Sequence, residues 1–188
     1  MKPLAASHNN PEEPVPRLAA DLAAALPLSD EAQALLTPAH TPRQFFDALA
    51  ARPALGEDAI RFLAAALPKR EAVSWSVACV RSALPKPSPE AAKALLAAEA
   101  WVKEPSEMNR RACEAAAQAA GHGTAPGCVA CAAFWSGGSL SAPHLPAVPP
   151  ADNLTAIAVT GALLLAGPAP DARAKFIALG VEIASGTK

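Results

Sequence analysis

The 188-residue sequence predicts an all-α protein, a single-domain globular bundle of about nine short helices. Alanine, the strongest helix former, makes up roughly a quarter of the chain. Val, Ile and Thr are too sparse and too scattered for a β-sheet. Apolar side chains recur at helical spacing along most of the chain, which is typical of amphipathic helices. A chain of this length can bury a substantial core within one domain.

The first 16 residues are polar and rich in proline, and we expect them to form a disordered N-terminal tail. The helical domain then covers residues 17–188. Leu18, Leu22 and Leu26 lie on one side of the first predicted helix. Ser29 can cap a short helix over residues 30–36. The sequence Thr41-Pro42-Arg43-Gln44 is a capping box with proline in the first helical position, so a third helix should begin there.

The next three helices are predicted over residues 57–67, 69–84 and 89–103. Pro68 separates the first two, and Ser88-Pro89 begins the third. The helix over 69–84 is apolar on two faces, which predicts a central position with neighbours on both sides. Arg81 and Glu99 lie among apolar residues, and we expect them to form a buried ion pair of structural importance.

Ser106 and Pro105 predict a helix over 106–120 whose inner face is Ala112, Ala116 and Ala119. Its outer face would carry the i, i+4 pairs Glu107–Arg111 and Arg110–Glu114. Three further helices are predicted over 125–136, 154–166 and 171–184. The apolar run over 154–166 has 13 residues, fewer than the roughly 20 that span a bilayer, so we expect a buried core helix.

Charge and cysteine content argue against several kinds of protein. The net charge is −1, and no basic run indicates a face for nucleic acid. The beginning of the chain lacks the apolar stretch of a secretory signal, and four cysteines fit reduced thiols. We therefore expect a cytoplasmic protein without a membrane span and without a nucleic-acid partner.

The strongest motif for chemistry is the CxxC pair Cys128 and Cys131. A zinc site needs two more ligands, and Cys113 and His122 are the nearby candidates. The pair lies within an apolar helix, however, where cysteine behaves as a small hydrophobic residue. We therefore predict core packing, no cofactor, and neither catalytic nor metal-binding residues, and keep the four-residue metal site as an alternative.

The longest break between helices is the proline-rich loop over residues 137–153. A loop of this length in a compact domain is often functional. Alternatively it is a strap that packs along the bundle through Leu140, Leu145 and Val148. Candidate partner-binding residues lie in this loop and on the neighbouring charged helix face: Glu107, Arg110, Arg111, Leu140, His144, Leu145 and Val148.

Three segments carry a resemblance to known proteins: PKREAVSWSVACVRSAL, AAEAWVKEPSEMNRRACEAAAQAAG and AAFWSGGSL. Over roughly residues 25–185 the chain resembles an uncharacterised bacterial family of small helical proteins, whose members tend to lie near type VI secretion genes. The helix pair around the second segment is also similar to helical immunity proteins of bacterial toxin systems. Neither resemblance implies an activity or catalytic residues.

Together these observations predict a non-enzymatic, protein-binding helical domain. The resemblance implies an accessory, adaptor or chaperone-like role in a bacterial type VI secretion system, with a secretion component, an effector or a toxin as partner. One alternative is an immunity protein that neutralises a toxin. The other is a metal-binding sensor or an enzyme that uses Cys113, His122, Cys128 and Cys131.

Overall fold

A computed structural model of the chain describes residues 18–186. The predicted N-terminal tail over 1–16 lies outside the described residues. Within the described range the fold is all-α, as predicted, with ten α-helices, one short 3-10 helix and no strand. The helices are α1 Ala19–Ala23, α2 Asp30–Ala34, α3 Pro42–Ala50, α4 Gly56–Ala66, α5 Lys69–Ala83, α6 Pro89–Lys103, α7 Glu107–Ala120, α8 Ala125–Phe134, α9 Leu154–Ala166 and α10 Pro170–Ala184.

Several helices begin where a polar side chain caps their first free N–H groups. The Ser29, Ser88 and Ser106 hydroxyls accept hydrogen bonds from the backbone in the first turns of α2, α6 and α7. Thr41 and Gln44 form the predicted capping box of α3. Because each cap involves residues only three positions apart, these helix starts follow from local sequence alone.

Helices α5, α8 and α9 form the centre of the bundle, each packed against several neighbours. In α5 the buried side chains lie on both faces, which confirms its predicted central position. Trp75 is fully buried, and its indole Nε1 donates to the Phe176 carbonyl oxygen over 2.7 Å, which joins α5 to α10. Phe45 and Phe62 meet edge to face, with ring centroids 4.9 Å apart, and join α3 to α4.

Helix α9 is a core helix, as predicted, and packs against α4, α5 and α8. None of the helices among residues 18–186 is both long enough and apolar enough to cross a membrane. One side of α9 nevertheless faces outward, where Ile157 and Leu165 are exposed.

Candidate interaction surface

Arg110 does not lie on the outer surface of α7, where the sequence placed it. Only 4% of this residue is exposed. Its Nη1 donates to the Phe134 carbonyl oxygen over 2.6 Å, and its Nη2 donates to the Ser139 carbonyl oxygen over 3.0 Å. The predicted Arg110–Glu114 ion pair is therefore wrong. The guanidinium turns inward because carbonyl groups at the end of α8 and the start of the loop need donors.

The inner face of α7 is also rotated from the predicted one. Cys113 and Ala117 are buried together with Arg110, whereas Ala112 and Ala119 are exposed. Of the three predicted inner alanines, only Ala116 is partly buried against the core. The inward Arg110 fixes this rotation, because residues three and seven positions further along a helix share its side.

Glu107 links the two neighbouring arginines on the rim of this site. Its carboxylate accepts from Arg110 Nε over 2.6 Å and from Arg111 Nε over 2.9 Å. The predicted Glu107–Arg111 pair is thus confirmed, and Arg111 also approaches Glu114. The hydrogen bond from Arg110, with a further one from Arg111, lowers the pKa of Glu107 from 4.5 to about 2. Both guanidinium groups lie over the Phe134 ring, 4.9 and 5.6 Å from its centroid.

The loop that follows α8 is closed by a hydrogen-bonded neck. The Leu140 amide donates to the Val148 carbonyl oxygen over 2.8 Å, and the Val148 amide donates to the Ser139 hydroxyl oxygen over 3.0 Å. The same hydroxyl accepts from the Ser141 amide over 3.1 Å. We call residues 139–148 the display loop, because its two ends meet at this neck.

Gly138 allows the neck to lie against Arg110. Its φ of +64° favours glycine, and a Cβ at this position would lie 2.8 Å from Arg110 Nε. The Arg110 side chain therefore fixes both the end of α8 and the entry to the display loop. The sequence predicted that the helix ends at residue 136 but gave no sign of this contact.

The tip of the display loop faces outward. Residues 143–148 of this loop are all exposed, and this group includes His144. Leu145 and Val148 are 54% and 50% exposed. Only Leu140, of the three residues in the predicted strap, packs against the core. The loop is thus anchored at its neck and holds two apolar side chains away from the bundle.

The four residues of the alternative metal site do not form a metal-binding group in the structure of residues 18–186. Cys113 and Cys131 are buried, and burial raises the pKa of their thiols to about 12 and about 11. Cys128 is half-buried, and its thiol donates to the His122 carbonyl oxygen over 3.2 Å, while the His122 residue is exposed. In the part of the chain that the structure describes, no three His, Cys, Asp or Glu side chains form a group that could hold a metal ion.

Two groups of charged residues away from the loop join helices to one another. Arg81 and Glu99 form the predicted pair between α5 and α6 through two hydrogen bonds, although both side chains keep part of their surface exposed. Asp58, which the sequence did not single out, is buried in α4 and accepts from the Ser29 amide over 3.0 Å and from its hydroxyl over 2.8 Å. This contact fixes α2 on α4.

Most of the chain matches the model of a protein family. A model for a family of unknown function, DUF6931, matches residues 45–184, which is most of the chain. The chain belongs to the DUF6931 family. The match begins within α3 and includes Arg110, the neck and the display loop. These features therefore lie in the region of this DUF6931 protein that the family model covers. The predicted membership of an uncharacterised family is confirmed. No curated protein and no solved structure gives a significant match.

Proposed function

We propose that this DUF6931 protein is a non-enzymatic, protein-binding domain that acts through its display loop. The observation that carries the proposal is the pair Leu145 and Val148, each about half exposed on a loop whose neck is fixed. Holding an apolar side chain in water is unfavourable, and burial against a partner recovers this free energy. A loop that is already closed loses less conformational entropy on binding than an open one.

The charged side chains beside the loop would fix the orientation of a bound partner. Glu107 is partly exposed beside the neck, and its carboxylate is held by Arg110 and Arg111. A partner would therefore meet an apolar loop tip with a charged border, which is the usual arrangement of an interface core and its rim. His144 and the neighbouring prolines add to the shape of the loop tip, and the display loop contains no Asp, Glu, Lys or Arg.

For the biological setting we propose an accessory, adaptor or chaperone-like role in the bacterial cytoplasm, linked to type VI secretion. This part of the proposal comes from the sequence resemblance described above. The partner would then be a secretion component or an effector. Capture of a toxin instead would favour the immunity role.

The proposal is tested by quantitative capture from native bacterial lysate, with the partner identified by mass spectrometry. The variant Leu145→Asp places a charge at the tip of the loop. Leu96→Asp is the matched control, because Leu96 is an equally exposed leucine on α6. We expect wild-type protein and the Leu96 variant to retain the same near-stoichiometric partner, and the Leu145 variant to lose it. Equal retention by both variants, or no partner on any bait, would contradict the proposal.

A further inference from the structure

The tip of the display loop continues into a short run that is half proline. We call residues 145–150, with the sequence LPAVPP, the proline segment. A proline ring fixes its own φ at about −65° and confines the residue before it to extended backbone. These two rules restrict every residue of the segment except Ala147, and both favour the polyproline II conformation. The structure agrees, since residues 146–151 lie outside any helix, strand or turn.

The loop itself holds the proline segment at two points. The Leu145 amide donates to the Ala142 carbonyl oxygen over 3.0 Å and closes a turn that has Pro143 in its second position. Three residues further along, the Val148 amide donates to the Ser139 hydroxyl oxygen in the neck. A partner therefore meets a segment that is already ordered and loses little conformational entropy by binding it.

The backbone of the proline segment limits how a partner can bind it. Its three prolines have no N–H group. The Leu145 and Val148 amides already donate within the loop, and Ala147 contributes the remaining amide. Addition to the edge of a β-sheet needs a regular row of donors and acceptors, and insertion as a helix is prevented by the prolines. Recognition must therefore use the side chains and the carbonyl oxygens.

The side chains of the segment repeat with the period of a polyproline II helix. Leu145 and Val148 are three residues apart, which is one full turn and about 9 Å along the axis, so they share one edge. Each directly precedes a proline, Pro146 or Pro149, and all four residues are exposed. The segment thus presents two successive apolar–proline units, the spacing of ligands that dock into aromatic-lined grooves.

We propose that the partner of the display loop binds the proline segment in a groove lined by aromatic side chains, which recognises the polyproline II conformation. This inference rests on the proposed function and specifies the binding surface of the partner. The units Leu145-Pro146 and Val148-Pro149 each pack between aromatic rings of the groove. Indole or phenol groups of the partner donate to carbonyl oxygens of the segment, because tryptophan and tyrosine combine an apolar ring with a hydrogen-bond donor.

The first test uses the full chain as bait in the native lysate. A double variant, Pro146→Ala with Pro149→Ala, keeps Leu145 and Val148 but removes both rings and their restraint on the backbone. We expect it to retain less of the partner than wild type by about fivefold or more. The control Pro143→Ala lies outside the segment and should retain the partner like wild type. Amide hydrogen exchange at Val148 checks that the neck stays closed in both variants.

The second test leaves the protein unchanged and challenges the bound partner with synthetic peptides. A peptide of Leu-Pro-Pro repeats places a leucine at every turn of a polyproline II helix, and one of Leu-Gly-Gly repeats keeps the same spacing on a flexible backbone. We expect the first peptide to release the partner from wild-type protein and the second to leave it bound. Release by both peptides, or by neither, overturns the inference.

The outcomes separate this inference from the proposed function on which it rests. Loss of the partner by Leu145→Asp, with full retention by the double proline variant, overturns the aromatic groove and leaves the display loop as the binding site. Equal loss by Pro143→Ala also overturns it, because the effect then extends beyond the proline segment. If wild-type protein retains no partner, the proposed function is contradicted and this inference with it.

Discussion

The guanidinium of Arg110 joins three parts of the molecule through one side chain. It binds the Glu107 carboxylate in its own helix, the last turn of α8 through Phe134, and the loop neck through Ser139. These contacts use the planar, forked arrangement of donors that only arginine provides. A lysine ammonium also has three N–H donors, but they extend from one nitrogen and cannot reach acceptors that are spread around the Nε, Nη1 and Nη2 positions.

The lowered pKa of Glu107 predicts how this cluster responds to acid. Its folded-state value of about 2 lies below the ordinary 4.5, so its stabilising contribution is complete above pH 4.5 and disappears as the pH falls toward 2. We expect the free energy of unfolding of wild type to exceed that of Glu107→Gln at neutral pH, and the difference to shrink between these two values. Urea titrations of both proteins at several pH values measure this difference.

Glu114→Gln is the matched control for this titration. Glu114 also contacts Arg111, but Arg110 binds Glu107 instead, and 48% of the Glu114 side chain is exposed to solvent. Because the Glu114→Gln variant keeps the Arg110–Glu107 hydrogen bonds, the acid dependence that Glu107 confers should persist in it. A constant difference between wild type and Glu107→Gln across the acid range would show that Glu107 is not held in its charged form by Arg110.

The contacts of Arg110 show which side-chain interactions the sequence can predict and which it cannot. The spacing of Glu107 and Arg111 predicts their ion pair because both partners lie within one helical turn. Arg110 has an equally plausible local partner in Glu114. Besides Glu107, its acceptors lie 24 and 29 residues further along the chain, and no local pattern specifies which backbone carbonyl groups the fold brings near it.

At the scale of the helix, composition determines which faces can be predicted. In α7, alanine occurs at positions 112, 115, 116, 117, 119 and 120, on nearly every side. Because these side chains are equally apolar, periodicity cannot identify the buried side. In α3 and α5 the large apolar side chains identify the buried faces directly, and the structure agrees. Helix caps are predictable for a related reason, since their partners are close in sequence.

Two helical glycines are expected to respond to alanine in opposite ways. A Cβ on Gly180 in α10 would lie 2.8 Å from the Trp75 ring, which cannot retreat because its Nε1 binds the Phe176 carbonyl oxygen. We expect Gly180→Ala to destabilise the fold by about 1 kcal/mol, since overpacking costs more than the helix propensity gained. A Cβ on Gly161 would make an ordinary 3.6 Å contact with Cys128 Sγ.

Gly161→Ala is therefore the control, and it should stabilise α9 by about 0.5 to 1 kcal/mol through helix propensity. Both effects are measured by urea denaturation. Equal stabilisation by both substitutions would mean that α10 can move away from Trp75 without loss of packing. That result would contradict the close contact of α10 with α5.

At the scale of the molecule, residues 18–186 comprise a tightly packed helical bundle and the display loop, whose tip faces outward. The all-α class and the helix order follow from alanine content, apolar spacing and proline positions. The arrangement of the helices does not, because contacts such as that of Trp75 with Phe176 join residues 101 positions apart. The loop conformation depends on the same long-range packing, since its neck rests on Arg110 of a different helix.

The Ser139 hydroxyl closes the neck without contributing to the bundle, so its removal should open the loop while the core stays folded. In Ser139→Ala the Val148 and Ser141 amides lose their acceptor. We expect faster amide hydrogen exchange at Val148 and faster proteolysis within residues 141–150, with the global free energy of unfolding changed by less than about 1 kcal/mol. The control Ser141→Ala retains the Ser139 hydroxyl and should match wild type. Unchanged exchange at Val148 in Ser139→Ala would mean that Arg110 and the Leu140–Val148 hydrogen bond suffice to hold the loop.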